Sequence, residues 1–336
     1  MYPQRVPADS HRSRPRRWRR VVWAVLACLA LALASVYLAY ARDVRATRDR
    51  LSAGSRIVVT SHGPVEYAVR GVGPPILVIH GSGGGYDQGL LLAKAFGGGG
   101  FRWIAPSRFG YLRSPLPADA STAAQADAFA ELLDSLGIQR VGVLAMSGGV
   151  PPALQLAVRH PGCVSSLALL SSAPYTPLKA DEEKRPVPVW VYQALFSSDL
   201  PYWVLQKVAG RGLERMFDVT PALRATLTPE ELDMLAHTVE SFQPVTARIA
   251  GVRNEGAAID PRATYRLEDV AVPTLVIHAA DDKMNPLRVG EYTVAHIRGA
   301  ELVRLAGGGH LLMGHHAEIR ARVNAFLRRY SPGAML

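Results

Sequence analysis

From about residue 55 onward, short and nearly continuous apolar runs alternate with segments whose apolar residues recur every three or four positions. Pro75–Ile79, Phe101–Ala105, Val141–Met146, Val164–Leu170, Thr274–His278 and Glu301–Leu305 are the runs. Their length and the scarcity of polar breaks predict strands buried on both faces of a parallel sheet. Ahead of them, Arg56–Ser61 and Val65–Arg70 alternate in polarity around Gly63-Pro64, which predicts an antiparallel start. Gln88–Phe96 reads as a helix. Ser121 caps another, whose apolar face runs through Ala126, Phe129, Leu132, Leu133 and Leu136 before Gly137 ends it. Strand and helix in turn specify an α/β fold, a mostly parallel central sheet with helices on both faces.

The regularity breaks between Leu170 and Thr274, where about a hundred residues hold no good strand but have helical signals of their own. Thr228-Pro-Glu-Glu231 is a capping box with proline at the first helical position, and Leu232, Leu235, Ala236, Val239 and Phe242 then share one face. Trp190, Tyr192, Phe196, Tyr202, Trp203 and Phe217 enrich this insertion in aromatics. They pack it against the main domain or roof an apolar pocket, and the two roles are compatible.

The N-terminus stands apart. In the first fifty residues, eleven arginines against three aspartates give +8 of the formal +10 carried by the 336-residue chain. The remainder is nearly neutral, so the basicity is no footprint of nucleic-acid binding. The arginines flank Val21–Ala41, 21 residues without a charged side chain. As a helix this run reaches roughly 31 Å, one bilayer core. Seven arginines precede it and four follow, a bias that predicts a cytoplasmic N-terminus and an extracytoplasmic remainder. A cleaved signal peptide competes, because Ala32-Leu-Ala34 and Ala39-Tyr-Ala41 offer small residues in the cleavage pattern, but the run exceeds the usual h-region. Cys28 and Cys163 frame neither a disulfide scaffold nor a thiolate metal site. The resulting division is an arginine-rich head (1–20), a transmembrane helix (21–41), a polar spacer (42–54), a core (55–173 and 261–330) and the insertion (174–260).

Candidate chemistry gathers where the predicted strands end. Val141–Met146 stops at Ser147, followed by Gly148-Gly149 and a helical pattern over Ala153–Arg159. A serine on a sharp strand-to-helix turn lifts its hydroxyl clear of the backbone, and the residues two positions away must be small, as Ala145 and Gly149 are. Unpaired amides at the helix start, Gly148's among them, point toward any oxygen that gathers charge beside the serine. Alone, the pentapeptide equally describes a helix-capping serine. A second glycine-rich turn, His80-Gly-Ser-Gly-Gly-Gly-Tyr-Asp-Gln88, follows Pro75–Ile79. It fails the dinucleotide spacing G-x-G-x-x-G in either register; the amide of Ser82 or Gly83 is instead placed to face the serine from the adjoining strand end.

A serine nucleophile needs a base held in one tautomer by a carboxylate. Asp281 and Asp282 follow Thr274–His278, and His310, then His315 and His316, follow Glu301–Leu305. The order Ser, Asp, His suits this topology. His80 serves its loop rather than proton transfer. Neither H-E-x-x-H spacing nor a carboxylate cluster calls for a metal, and nothing calls for a cofactor.

Taken together, H-G-S-G-G-G at His80, R-F-G-Y at Arg108, A-M-S-G-G around Ser147, H-A-A-D-D-x-x-x-P ending at Pro286 and G-G-G-H ending at His310 resemble the serine α/β-hydrolases over about residues 55 to 330. The resemblance implies an α/β-hydrolase fold with Ser147 as nucleophile, Asp282 as acid, His310 as base, and the amides of Ser82 and Gly148 as oxyanion donors. It implies a helical cap over the insertion. The family's spacing favours Asp282 over Asp281, and His315 and His316 fall where the next helix should run. A serine at the elbow argues against the dehalogenase and epoxide-hydrolase branches, which place a carboxylate there. Two departures stand out, Ala145 at the first elbow glycine and Pro151-Pro152 early in the following helix.

The expected activity is hydrolysis of an apolar, small-molecule ester through an acyl-enzyme, by a protein held in a lipid bilayer. A peptidase, a cofactor-free haloperoxidase or a carbon–carbon bond hydrolase would use the same three residues. A ligand receptor of this fold without turnover is the alternative from another class.

Overall fold

The computed structural model describes residues 15–176, 197–258 and 265–331. The chain divides into two compact units, Met1–Ala46 and Thr47–Leu336. In the first, a helix (α1, Pro15–Ala53) begins that continues past the unit boundary. Its apolar stretch exposes Trp23, Leu29, Leu33 and Leu38. The helix is long and apolar enough to cross a membrane, with a mean hydropathy of 2.5 in its apolar window, a test that an N-terminal signal sequence also passes. Residues 42–54 were expected to form a spacer; they are helical to Ala53, where four arginines, Leu51 and two alanines are good helix formers.

The second unit is built on eight strands: β1 (Arg56–Thr60), β2 (Gly63–Arg70), β3 (Pro75–Ile79), β4 (Arg102–Pro106), β5 (Val141–Met146), β6 (Val164–Leu170), β7 (Thr274–Ala279) and β8 (Glu301–Leu305). They lie side by side in the order β1-β2-β4-β3-β5-β6-β7-β8. β2 pairs antiparallel with both β1 and β4, and every pair from β4 to β8 is parallel. Along β5, Val143 and Ala145 pack with Leu77, Ile79, Phe129 and Leu154, whereas Leu144 and Met146 pack with Ile76, Val78, Phe96 and Leu170. Alternation with both faces covered is why the central strands read as unbroken apolar runs.

Sheet-building changes direction at β3: the chain goes outward to β4 and returns to place β5 on the other side of β3. A crevice opens at such a switch point, beyond the carboxyl ends of the two strands. Ile79 lies opposite Ala145 there, so the loops after β3 and β5 emerge next to each other.

The helices mostly follow their signals. α2 (Tyr86–Leu92) is shorter than expected, since its last turn widens into a π turn over Ala93–Gly97 before a run of glycines. α3 (Thr122–Ser135) starts at Ser121, whose Oγ accepts from the Ala124 N–H at 3.1 Å. α4 (Val150–Arg159) keeps Pro151 and Pro152 in its first turn, where the lost N–H groups have no intrahelical partner to forfeit. Between β6 and β7 come α5 (Asp199–Glu214), α6 (Pro221–Thr226), α7 (Pro229–Glu240) and α8 (Ile249–Ala258). The capping box of α7 is present, with Thr228 N–H donating to Glu231 Oε2 at 3.0 Å. Of its expected face Leu235, Val239 and Phe242 are buried; Ala236 is exposed, and Met234 and Thr238 are buried in addition. Trp190, Tyr192 and Phe196 lie outside the described residues; Tyr202 and Phe217 are buried. α9 (Arg288–His296) and α10 (His316–Tyr330) complete the unit.

Candidate active site

Ser147 sits where β5 meets α4, with φ at 52°. A non-glycine residue in that region carries a strain of about 1–3 kcal/mol and persists only where the surroundings impose it. Here the imposition comes from β3. A Cβ on Gly149 would approach Ile79 O to 2.6 Å and His80 O to 2.7 Å, so only glycine lets the helix start this close to the strand. Ala145, the register partner of Ile79, is fully buried and fits.

The amides of Ser82 and Gly148 lie in the two glycine turns beside the serine, and hydrogen bonds to the carbonyls of the same peptides orient them. The Gly81 carbonyl and the Ser82 N–H belong to one planar peptide and point in opposite directions. Gly81 O accepts from His80 Nδ1 at 2.7 Å and from Arg108 Nη2 at 3.0 Å, which turns the Ser82 N–H the other way. That N–H finds no acceptor among the described residues, while the Gly83 N–H donates to the Tyr111 hydroxyl at 3.3 Å. Likewise Ser147 O accepts from the Ala173 N–H at 3.2 Å, fixing the peptide that carries the Gly148 N–H. His80 Nε2 accepts from the Arg108 N–H at 2.9 Å, so its proton resides on Nδ1. Burial first, then the Arg108 charge, push His80 well below the usual imidazole range and keep it neutral.

Asp282 and His310 meet from the loops after β7 and β8. His310 Nδ1 lies 3.0 Å from Asp282 Oδ2, and Asp282 Oδ1 accepts from the N–H groups of Met284 and Asn285, both at 2.9 Å. Burial alone would raise the Asp282 carboxyl, but the His310 charge and hydrogen bonds from His278 and His310 outweigh it, and the group stays ionised. For His310, burial lowers the ring's pKa, and the charge and hydrogen bond of Asp282 reverse this to a net rise. An ionised carboxylate only accepts, so Nδ1 carries the ring proton and Nε2 is left as a base.

The remaining alternatives have other work. Asp281 Oδ1 accepts from the Gly309 N–H at 2.9 Å and so braces the turn before His310. His316 Nε2 is 2.9 Å from Leu311 O, and His315 lies near Glu318. Ser147 and His310 border one cavity, about 560 Å³ counted out to its mouth. No hydrogen bond joins them in this arrangement, and Ser147 Oγ instead accepts from Asn285 Nδ2 at 3.4 Å. The cavity is walled by Leu92, Met146, Met216, Phe217, Met234, Phe242, Met284 and Leu311. No group of three metal-ligating side chains is found among the described residues.

The family is decided by comparison. Residues 74–317 match the model of the alpha/beta hydrolase fold. The chain belongs to that family. It is a hydrolase, 29% identical to the uncharacterized hydrolase YcgS of Bacillus subtilis (strain 168) over 74% of this chain and 89% of that protein. It is 31% identical to a 2-hydroxymuconate semialdehyde hydrolase of Pseudomonas putida, over 76% of this chain and 86% of the other. Among solved structures, an alpha/beta hydrolase fold protein from Nakamurella multipartita is similar with a TM-score of 0.71 at 29% identity, over 81% of this chain and 98% of that one.

Within this α/β-hydrolase site stand residues that the sequence did not single out. Glu255, on α8 of the insertion, accepts from Ser82 Oγ, Arg108 Nη2 and the Tyr111 hydroxyl. Arg108 thereby joins the insertion to both glycine turns, since its Nη1 also donates to Gly148 O at 2.9 Å. Burial, then the Glu255 charge, raise Tyr111 well above the usual phenol range, so it remains a donor. Arg108 and Asn285 lie inside the R-F-G-Y and D-D-x-x-x-P segments, a signal of place though not of role; Glu255 has no such signal.

Proposed function

We propose that this hydrolase is a membrane-anchored serine esterase that cleaves small esters with an apolar acyl or alkyl part through an acyl-enzyme. One observation carries the reading: a serine on a strained elbow and an imidazole oriented by an ionised carboxylate border the same apolar cavity. In this mechanism Ser147 Oγ attacks the ester carbonyl as its proton passes to His310 Nε2. The carbonyl oxygen takes the negative charge against the Ser82 and Gly148 amides. Collapse expels the alcohol, which takes the proton from His310, and water then resolves the acyl-enzyme by the same route. A small movement of His310 and the Ser147 hydroxyl toward each other completes the contact, as catalytic hydrogen bonds tighten when substrate binds.

The lining supports an apolar partner. Four of the seven methionines of the chain wall the cavity, and unbranched thioethers adapt to irregular or aromatic groups. A second reading rests on the Pseudomonas putida relative, whose name favours carbon–carbon bond hydrolysis on the same residues. The purified chain, offered p-nitrophenyl butyrate, an amino-acid p-nitroanilide and 2-hydroxymuconate semialdehyde, is expected to prefer the ester by about a hundredfold or more in kcat/KM. Preference for the semialdehyde would replace the ester reading with the second one.

The exposed apolar helix supports a single-pass anchor with its N-terminus in the cytoplasm. After an alkaline carbonate wash the full-length chain is expected to stay in the membrane pellet, open to protease added from outside. A soluble product shortened at its N-terminus would identify a cleaved signal instead.

A further inference from the structure

Asn285 lies three residues beyond Asp282 and is buried, yet the mechanism above gives it no task. Its side-chain nitrogen is 2.7 Å from Ser171 O, just past β6, and 3.4 Å from Ser147 Oγ, just past β5. A carbonyl can only accept, so the atom beside Ser171 O must be the amide nitrogen, and the orientation of the amide is settled. One of its N–H groups is committed to Ser171 and the other faces the serine. Ser171 is itself fixed, with φ at 44° and its N–H donating to Ile277 O at 3.0 Å. The Asn285 backbone is tied as well, its N–H to Asp282 Oδ1 at 2.9 Å and its carbonyl to His278 Nε2 at 3.1 Å.

We infer that Asn285 is a further catalytic residue, donating a hydrogen bond to the attacking oxygen of Ser147. The inference rests on Ser147 being the nucleophile. A hydroxyl oxygen that accepts from Asn285 must send its own proton elsewhere, which leaves that proton for His310 Nε2. In acylation the Oγ–carbon bond forms, the carbonyl electron pair moves to the oxyanion, and the Oγ proton goes to His310. In deacylation a water oxygen bonds to the same carbon after losing a proton to His310. The carbon–Oγ bond then breaks, its electron pair returns to Oγ, and His310 returns the proton. Oγ carries developing charge whenever its bond to the carbonyl carbon forms or breaks, and a donor at 3.4 Å draws closer to an ionised acceptor. Asn285 therefore assists both half-reactions, and with an activated ester, whose acylation is fast, the loss is read in deacylation.

Stopped-flow kinetics of the full-length Asn285→Ala and Asn285→Leu variants with p-nitrophenyl butyrate test this. Leu keeps the approximate volume of the side chain and brings neither donor nor charge, so it covers the case in which the cavity left by Ala prevents folding. The expected result is a kcat lower by about ten- to a hundredfold, with KM changed by less than about threefold and acyl-enzyme accumulating after a burst. A kcat within about twofold of the parent in the folded variants overturns the inference. So does a loss that follows only the fraction of folded protein. Failure of the underlying reading shows separately, as a parent enzyme whose Ser147 a fluorophosphonate probe does not label.

Discussion

Replacing Ser147 with alanine is expected to lower ester turnover by about 10⁶-fold, by analogy with other hydrolase triads, and to abolish labelling by a fluorophosphonate. The size of the effect follows from what stays behind. On the proposed mechanism the Ser82 and Gly148 amides and the apolar walls would still bind the ester and polarise its carbonyl, but no oxygen would stand where the acyl group must be received. The substitution should leave the fold intact. Alanine carries the same Cβ through the elbow, so the cost of the 52° φ is unchanged. The lost contact is a long hydrogen bond from Asn285, worth no more than about 1 kcal/mol. Thermal unfolding of parent and variant, measured beside turnover, separates the two effects. A folded variant that keeps most of the esterase activity would place the nucleophile elsewhere. A parent that neither turns over esters nor accepts the probe would favour the receptor alternative.

What could be read in the chain and what could not divide along physical lines. β3, β5, β6 and β7 are buried on both faces, so their apolar runs announced them, and strand–helix alternation was enough for the sheet and its class. The capping box at Thr228 and the Ser121 cap were legible because each needs only residues three apart. Boundaries failed where a local pattern continued past its element, as in residues 42–54, whose charged composition resembles a spacer but forms helix. On α7 the expected face holds at Leu235, Val239 and Phe242 but not at Ala236, because the cavity draws the buried side round. Met234 and Thr238 turn toward it, and Ala236, apolar by type, faces solvent.

Within the candidate site, Ser147, Asp282 and His310 were legible because small residues and strand ends mark them in the sequence. The Asp281 and Asp282 pair could not be separated by residue type. In the fold they diverge, one holding the Gly309 N–H and the other the His310 ring. Glu255 was invisible for a different reason. It reaches Arg108 across 147 residues of chain, and no spacing rule encodes a contact between an insertion and the turn beneath it. The burial of that carboxylate against Ser82 becomes intelligible only once Arg108 is seen to neutralise it and to hold the carbonyls of Gly81 and Gly148.

Asp282→Asn is expected to lower kcat by about 10⁴-fold while leaving the fold in place. An amide is nearly isosteric with the carboxylate and can still accept from the Met284 and Asn285 N–H groups through its oxygen. What changes is the face toward His310. An amide nitrogen turned to Nδ1 donates to it and so favours the tautomer with the proton on Nε2, the wrong atom for receiving one from Ser147. The pH profile gives a second, independent readout. In the parent, Asp282 raises the pKa of the buried ring above the ordinary 6.5. The general base must be neutral, so kcat/KM should fall as pH drops through that raised value, with its midpoint above 6.5. Removing the charge deletes the largest raising cause and leaves burial, which acts downward, so the variant's midpoint should move to lower pH beneath a much reduced plateau. Asp281→Asn, which disturbs only the bond to Gly309, should leave the midpoint where it is. If the acid limb instead followed Asp281 and ignored Asp282, the carboxylate that serves His310 would have to be reassigned to Asp281.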